Sequence, residues 1–214
     1  MPLQNRVTPF GDLIATPARG LVYGNRGCLH DEDGRIRRRF AVKRWISCRL
    51  RFRGWHRSPL MQPGRFTELF FLDEATAFSA GHRPCALCRR EDYVRFTTIW
   101  EALHPGDIGA NAIDDRLHAE RFDRSTRAQR WHALPDEPLP DGAFVTDGED
   151  AYLRLAGTLH RWTPGGYELS AAYPTQLSLL TPPSLVDVLR RGWDPVVPML
   201  HPSVSASARM QPPG

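Results

Sequence analysis

Cys85-Ala86-Leu87-Cys88 is the most reactive pattern in the chain. Two thiols at C-x-x-C spacing, entered through Pro84 and followed by a helix-forming stretch, make one half of a tetrahedral zinc site. The start of a helix adds positive potential, which favours thiolate. A thioredoxin-type redox pair has the same spacing, but it follows a strand in a βαβ unit. Here an Ala-rich helical segment and the turn Gly81-His82-Arg83-Pro84 come first. Metal is therefore the expected chemistry, with Zn2+ as cofactor. Cys48 is the expected third ligand. The fourth is Cys28, completing four cysteines, or His30, completing Cys3His; both lie on the turn Gly27-Cys28-Leu29-His30-Asp31. His56 and His82 are weaker candidates. Four protein ligands would close the site to substrate and make the metal structural.

A ligand set so dispersed needs elements to bring it together. Residues 44–53 alternate, with Ile46, Cys48, Leu50 and Phe52 on one side and Ser47, Arg49, Arg51 and Arg53 on the other. That is the pattern of a half-buried strand with a row of guanidiniums on its open face. A second strand is expected over 66–72. Asp73 then reads as the N-cap of a short helix over 74–80, with Gly81 just past its end. A longer helix over 89–103 carries the apolar stripe Tyr93, Phe96, Trp100 and Leu103. Residues 111–133 read as polar and helical, and 134–142 as a Pro-rich connector. Strands follow over 143–146, 151–155 and 158–162, with a turn at Ala156-Gly157. A short helix covers 184–191, and the tail from Ser203 reads as disordered.

The chain has 214 residues, 41% of them apolar and 24% charged, which excludes wholesale disorder. No apolar run approaches the roughly 20 residues a bilayer needs. The first residues lack the pattern of a secretory signal, so a reducing cytoplasmic location is expected, where paired cysteines more often hold metal than form disulfides. Of 28 basic residues only Lys43 is lysine. Residues 35–65 hold 11 basic residues and no Asp or Glu, whereas 105–150 hold 11 acids against 5 arginines. A concentrated basic segment in a chain of pI ≈ 9.1 points to a polyanionic partner, most simply DNA or another nucleic acid. The expected contact residues are Arg37, Arg39, Arg44, Arg49, Arg51 and Arg53, flanked near the metal by Arg83 and Arg89. The acidic stretch could instead cover the basic face from within.

Residues 69–90, LFFLDEATAFSAGHRPCALCRR, resemble the second half of an Ada-like metal-binding domain. Glu74, Ala75, Ala80, Gly81, Arg83, Pro84, Cys85 and Cys88 match that family's pattern as they stand. The chain as a whole is also similar to bacterial proteins that open on a PLQNRVTPFG-type segment. The Ada-like resemblance implies a small zinc-held fold with a basic, DNA-facing surface. The first cysteine pair of such domains, which includes the methyl-accepting cysteine, has no counterpart here, so methyl transfer is not carried over.

Two enzymatic alternatives stand beside this reading. His118-Ala119-Glu120 with Pro84-Cys85-x-x-Cys88 has the parts of a zinc deaminase, but in reversed order. An HNH or treble-clef nuclease could draw on Asn25, His30, Asp31 and His56. The expected architecture is α+β: a zinc-stabilised, Ada-like region over 1–104 with short strands and a knuckle leading into a helix, then a polar helical segment and connector over 105–141, a small β-rich region over 142–202 and a tail over 203–214.

Overall fold

The computed structural model describes residues 1–55, 58–170, 174 and 176–208. The strands of the first half are β1 (Gln4–Val7), β2 (Leu13–Ala15), β3 (Val22–Asn25), β4 (Ile46–Cys48) and β5 (Leu69–Phe71). Helix α1 (Glu74–Ser79), strand β6 (Arg83–Pro84) and helices α2 (Arg90–Leu103) and α3 (Gly109–Arg121) follow. A small hairpin, β7 (Phe122–Asp123) and β8 (Ala128–Gln129), leads into β9 (Phe144–Thr146), β10 (Ala151–Leu155), β11 (Thr158–Thr163), β12 (Gly166–Leu169) and β13 (Ser178–Leu179). Helices α4 (Pro183–Arg190) and α5 (Ser203–Ala208) close the described chain.

Among the described residues the first sheet runs β2-β1-β5-β3-β4-β6 and the second β12-β11-β10-β9-β13. The second is antiparallel throughout. In the first, β1 runs parallel to β5 and β4 parallel to β6. The mixed α+β architecture agrees with the sequence. Helix α1 begins where Asp73 caps it, its carboxylate accepting from the Thr76 N–H at 2.9 Å. It ends at Gly81, whose φ of +76° is left-handed. In α2 the expected stripe is buried at Phe96 and Trp100 and half-buried at Tyr93 and Leu103.

Three expectations fail. The 44–53 strand stops at Cys48, because β3 and β6, its hydrogen-bonding neighbours, supply register partners only for Ile46, Ser47 and Cys48. Beyond it the chain turns, with Arg53 at φ +49°, so no arginine ladder forms. The helix expected over 111–133 ends at Arg121, and β7 and β8 occupy much of its second half. Ser203–Ala208 is helical rather than disordered and packs on β12; Val204 is buried and Ser203 Oγ accepts from the Tyr167 N–H.

The Pro-rich connector does not separate two cores. One cluster joins Phe78 of α1 and Phe96 and Trp100 of α2 to Leu117 of α3, Val145 of β9 and Leu185 of α4. A strap over 193–201 ties the halves further. Carbonyls of Pro198 and Met199 accept from the N–H groups of Glu74 and Ala75, filling positions that the first turn of a helix otherwise leaves without partners.

Gly81 is where backbone and packing meet. A Cβ there would stand 2.4 Å from Arg121 Cδ, and a side chain in the left-handed region costs about 1–2 kcal/mol by itself. Gly81→Ala is therefore expected to lower the unfolding free energy by at least about 1 kcal/mol, read as a lower urea midpoint at unchanged slope.

Candidate functional site

Backbone pairing assembles the cysteine cluster. Parallel pairing of β4 with β6 sets Ile46 opposite Arg83 and Ser47 opposite Pro84. The Cys85 N–H then donates to the Ser47 carbonyl at 2.9 Å, which brings the ends of both strands together. After Cys85 the chain folds back, and the Arg89 N–H donates to the Cys85 carbonyl at 3.1 Å. The sulfurs of Cys48, Cys85 and Cys88 all lie within 4.8 Å of one another. Sulfurs around a tetrahedral zinc stand roughly 3.8 Å apart for Zn–S bonds of about 2.3 Å, so a small inward rotation suffices to grip an ion. Tyr23, Ile46, Phe52 and Phe70 pack around them. The cysteines are only 5–8% exposed.

The electrostatics suit a metal. Hydrogen bonds from the Cys48 and Cys88 thiols hold Cys85 far below the ordinary thiol range, aided by the N–H groups of Cys88 and Leu87. Its thiolate pushes Cys48 well up, and burial adds to that shift. Cys88 is drawn down by the Cys48 thiol, yet its hydrogen bond to Cys85 and its burial raise it on balance. A bound divalent ion would favour the thiolate form of all three and displace their protons. All four cysteines of the chain are free thiols.

The fourth-ligand expectation needs correction. Neither Cys28 nor His30 joins the cluster. Both His30 nitrogens are engaged, Nδ1 with Thr67 Oγ1 at 2.6 Å and Nε2 with the Gln62 carbonyl at 3.1 Å. Cys28 Sγ turns to the His30 carbonyl. His82 is buried and accepts from Arg26; His56 lies outside the described residues. Among the described residues the site is three thiols.

Two arginines assigned to a nucleic-acid surface are inside the protein. Arg83 is 1% exposed and forms a two-pronged ion pair with Asp114, at 2.9 and 2.8 Å. Arg89 is fully buried between Glu74 and Asp92 and donates to Ser47 Oγ at 2.8 Å. Such carboxylates offset the desolvation of a guanidinium, and the acidic stretch that supplies Asp114 also pairs Asp115 with Lys43 of the basic segment. Arg37 and Arg39 reach the surface but pair with Asp31 and Asp12. Arg44, Arg51 and Arg53 are exposed and Arg49 is half-buried. The segment carrying the last three leaves the cysteine cluster directly. The Arg49 N–H donates to the Cys88 sulfur. Phe52 and Trp55 meet edge to face at 5.5 Å, Arg53 lies 5.0 Å from the Phe52 ring centre, and Trp55 is 56% exposed.

The residues of the enzymatic alternatives are committed elsewhere. His118 packs on Phe40 and Phe122. Glu120 accepts from the N–H and hydroxyl of Ser184. Asp31 closes its own turn through the N–H groups of Asp33 and Arg35. Sequence reasoning missed the buried role of Arg26 and Arg121, whose guanidinium carbons each lie 4.1 Å from the Trp45 ring centre. No family model matches the chain, and comparison with curated proteins and with solved structures finds no match.

Two outcomes follow from this geometry. Co2+ titration of the reduced protein is expected to give sulfur-to-cobalt charge-transfer absorption saturating near one equivalent. Cys85→Ser should abolish it, and chelation should lower the melting temperature of the metal-loaded protein. Arg89→Met leaves Glu74 and Asp92 buried without their shared cation. It is expected to cost about 3–5 kcal/mol in urea unfolding, with no change in the salt dependence of any nucleic-acid binding.

Proposed function

We propose that the protein binds nucleic acid through the arginine-rich loop over 49–55, which a structural Zn2+ held by Cys48, Cys85 and Cys88 keeps in place. The observation that carries this reading is the loop's attachment. It starts at a thiol of the cluster, is held through the Arg49 N–H to Cys88, and exposes Arg51, Arg53 and Trp55. Cations interleaved with exposed aromatics suit a partner with both phosphates and planar bases. The Ada-like pattern over residues 69–90 supports the same reading.

Zinc fits the donor set better than the alternatives. Three thiolates are soft ligands, and their apolar surroundings keep a shielded ion in place. A fourth donor would complete the tetrahedron. The metal's role is to hold β4, β6 and the start of α2 together while the loop meets its partner. The two-stage design explains why basic residues close to the metal divide as they do. Arg83 and Arg89 support the knuckle from inside, and Arg44, Arg51 and Arg53 remain outside with no ion pair among the described residues.

Phosphate contacts release counterions, so affinity falls with salt by a slope of about 0.9 per contact on duplex DNA. The double variant R51A/R53A is expected to weaken binding of a duplex oligonucleotide at least tenfold and to make the log–log salt slope shallower by about 2. Its metal content and melting temperature should match the parent. Unchanged affinity in this variant would place the interface elsewhere.

A further inference from the structure

A second cationic surface lies away from the metal loop. Phe40 and Phe122 form the floor of a cleft of about 350 Å3, and Arg38, Arg39, Arg124 and Arg127 line its sides. The rings meet edge to face at 4.9 Å. His118, which lines the neighbouring hollow, packs against both rings, 4.8 Å from Phe40 and 5.6 Å from Phe122. Two further hollows continue the cleft. One of about 300 Å3 shares Arg38 and Arg39 and reaches Gly11, and one of about 540 Å3 shares Phe122 and Arg124 and reaches Lys43 and Arg130. The two hollows adjoin the central cleft through these shared residues, with Phe40 and Phe122 at its middle.

Charge in this groove is not balanced from within. Arg39 pairs with Asp12 and Lys43 with Asp115. Asp123, the remaining carboxylate on the walls, accepts from the Ser125 N–H and hydroxyl and the Thr126 N–H. Arg38, Arg124 and Arg127 have no ion pair among the described residues. Two more cations lie buried nearby. Arg26 donates to the Gly11 carbonyl and to His82, and Arg121 to the Gly81 and Lys43 carbonyls. Among the described residues neither has a carboxylate in hydrogen-bond contact, and Arg26 Nη2 and Arg121 Nε have no hydrogen-bond partner. Gly11 joins this pair to the groove, since a Cβ there would stand 3.7 Å from Arg26 Nη2. Burial, together with the charge of Arg39, pulls Arg26 down to about 9, still a cation at neutral pH. His118, pushed down to about 4 by burial and by the charge of Arg121, leaves the floor neutral.

The geometry points to a nucleoside phosphate as the ligand of this groove, with the base against Phe40 and Phe122 and the phosphates between Arg38, Arg124 and Arg127. Guanidiniums take phosphate oxygens through paired N–H donors. Half-exposed rings beside them offer a base a surface for stacking or edge contact. The same unit can arrive as a free nucleotide or as one residue of a single strand. The site is independent of the metal loop: its residues come from the 36–40 segment, α3 and the β7–β8 hairpin.

Calorimetric titration with ADP, pyrophosphate and a twelve-residue oligothymidylate tests this, comparing the parent with R124E/R127E and R51A/R53A. ADP is expected to bind saturably and at least tenfold more tightly than pyrophosphate, with at least a tenfold loss in R124E/R127E and none in R51A/R53A. If ADP fails to bind but the oligothymidylate loses tenfold or more in R124E/R127E, the groove takes the unit from a strand, and the inference holds. Pyrophosphate binding as tightly as ADP would overturn base recognition. Indifference of both ADP and the oligothymidylate to R124E/R127E, with metal content and melting temperature unchanged, would overturn the site. Because the metal loop is scored by R51A/R53A on duplex DNA, the two surfaces succeed or fail separately.

Discussion

Arg89 is the fixed point on which the rest of this architecture leans. It follows Cys88 directly, so its position sets where the knuckle ends and α2 begins. Its guanidinium meets Glu74 at the start of α1, Asp92 in the first turn of α2 and Ser47 in β4. Three elements far apart in sequence are thereby held to one group with no access to solvent. Carboxylates and a hydroxyl in good geometry offset the desolvation of this buried cation. The carboxylates are matched in turn. Glu74 accepts from Trp193 Nε1 at 3.3 Å, and Asp92 from Arg95 and the Val196 N–H. Burial alone pushes the Glu74 carboxyl up, and the charge of Arg89 pulls it back. Pairing of β4 with β6 brings the three sulfurs together, and Arg89, next to Cys88, ties β4 to α1 and α2 behind them.

The division of arginines shows why composition alone gave a mixed answer about function. A basic run with no acids reads as a surface, because isolated guanidiniums avoid the interior. Carboxylates reverse that inference for Arg83, whose partner Asp114 lies 31 residues on, and for Arg89, held by Glu74 and the nearby Asp92. Arg26 is stranger still, fully buried with its hydrogen bonds going to a carbonyl and a histidine. Trp45 offers its ring to Arg26 and Arg121 and takes over part of the role a carboxylate would have. The surplus of positive charge around that ring therefore extends from the core to the groove above it.

Much of the local structure was legible in the residues. Asp73, Gly81 and Pro183 mark helix ends through chemistry that acts within four residues, and the Ala156-Gly157 turn sets the β10–β11 hairpin by the same local rule. The stripe of α2 follows from its period. Cys48 was identifiable as a third thiol because its alternation placed it on an apolar face. The arginine strand was not legible as a short one, since alternation continues through residue 53 whereas pairing stops where the neighbouring strands end. The fourth-ligand assignment failed for a similar reason: spacing cannot show that Thr67 and Gln62, more than thirty residues away, already occupy the His30 ring. The groove over Phe40 and Phe122 joins segments some eighty residues apart, and no window of sequence contains it.

The strap over 193–201 has a bearing on how the chain comes into being. Synthesis proceeds from the amino end, and the knuckle, α1 and α2 leave the ribosome about a hundred residues before Trp193. Until then Glu74, Asp92 and the first N–H groups of α1 lack the donors and carbonyls that the strap supplies. Vectorial folding from the amino terminus must pause with these groups still hydrated. Ions met in that interval encounter thiols whose supporting salt bridge has not yet been covered by the strap.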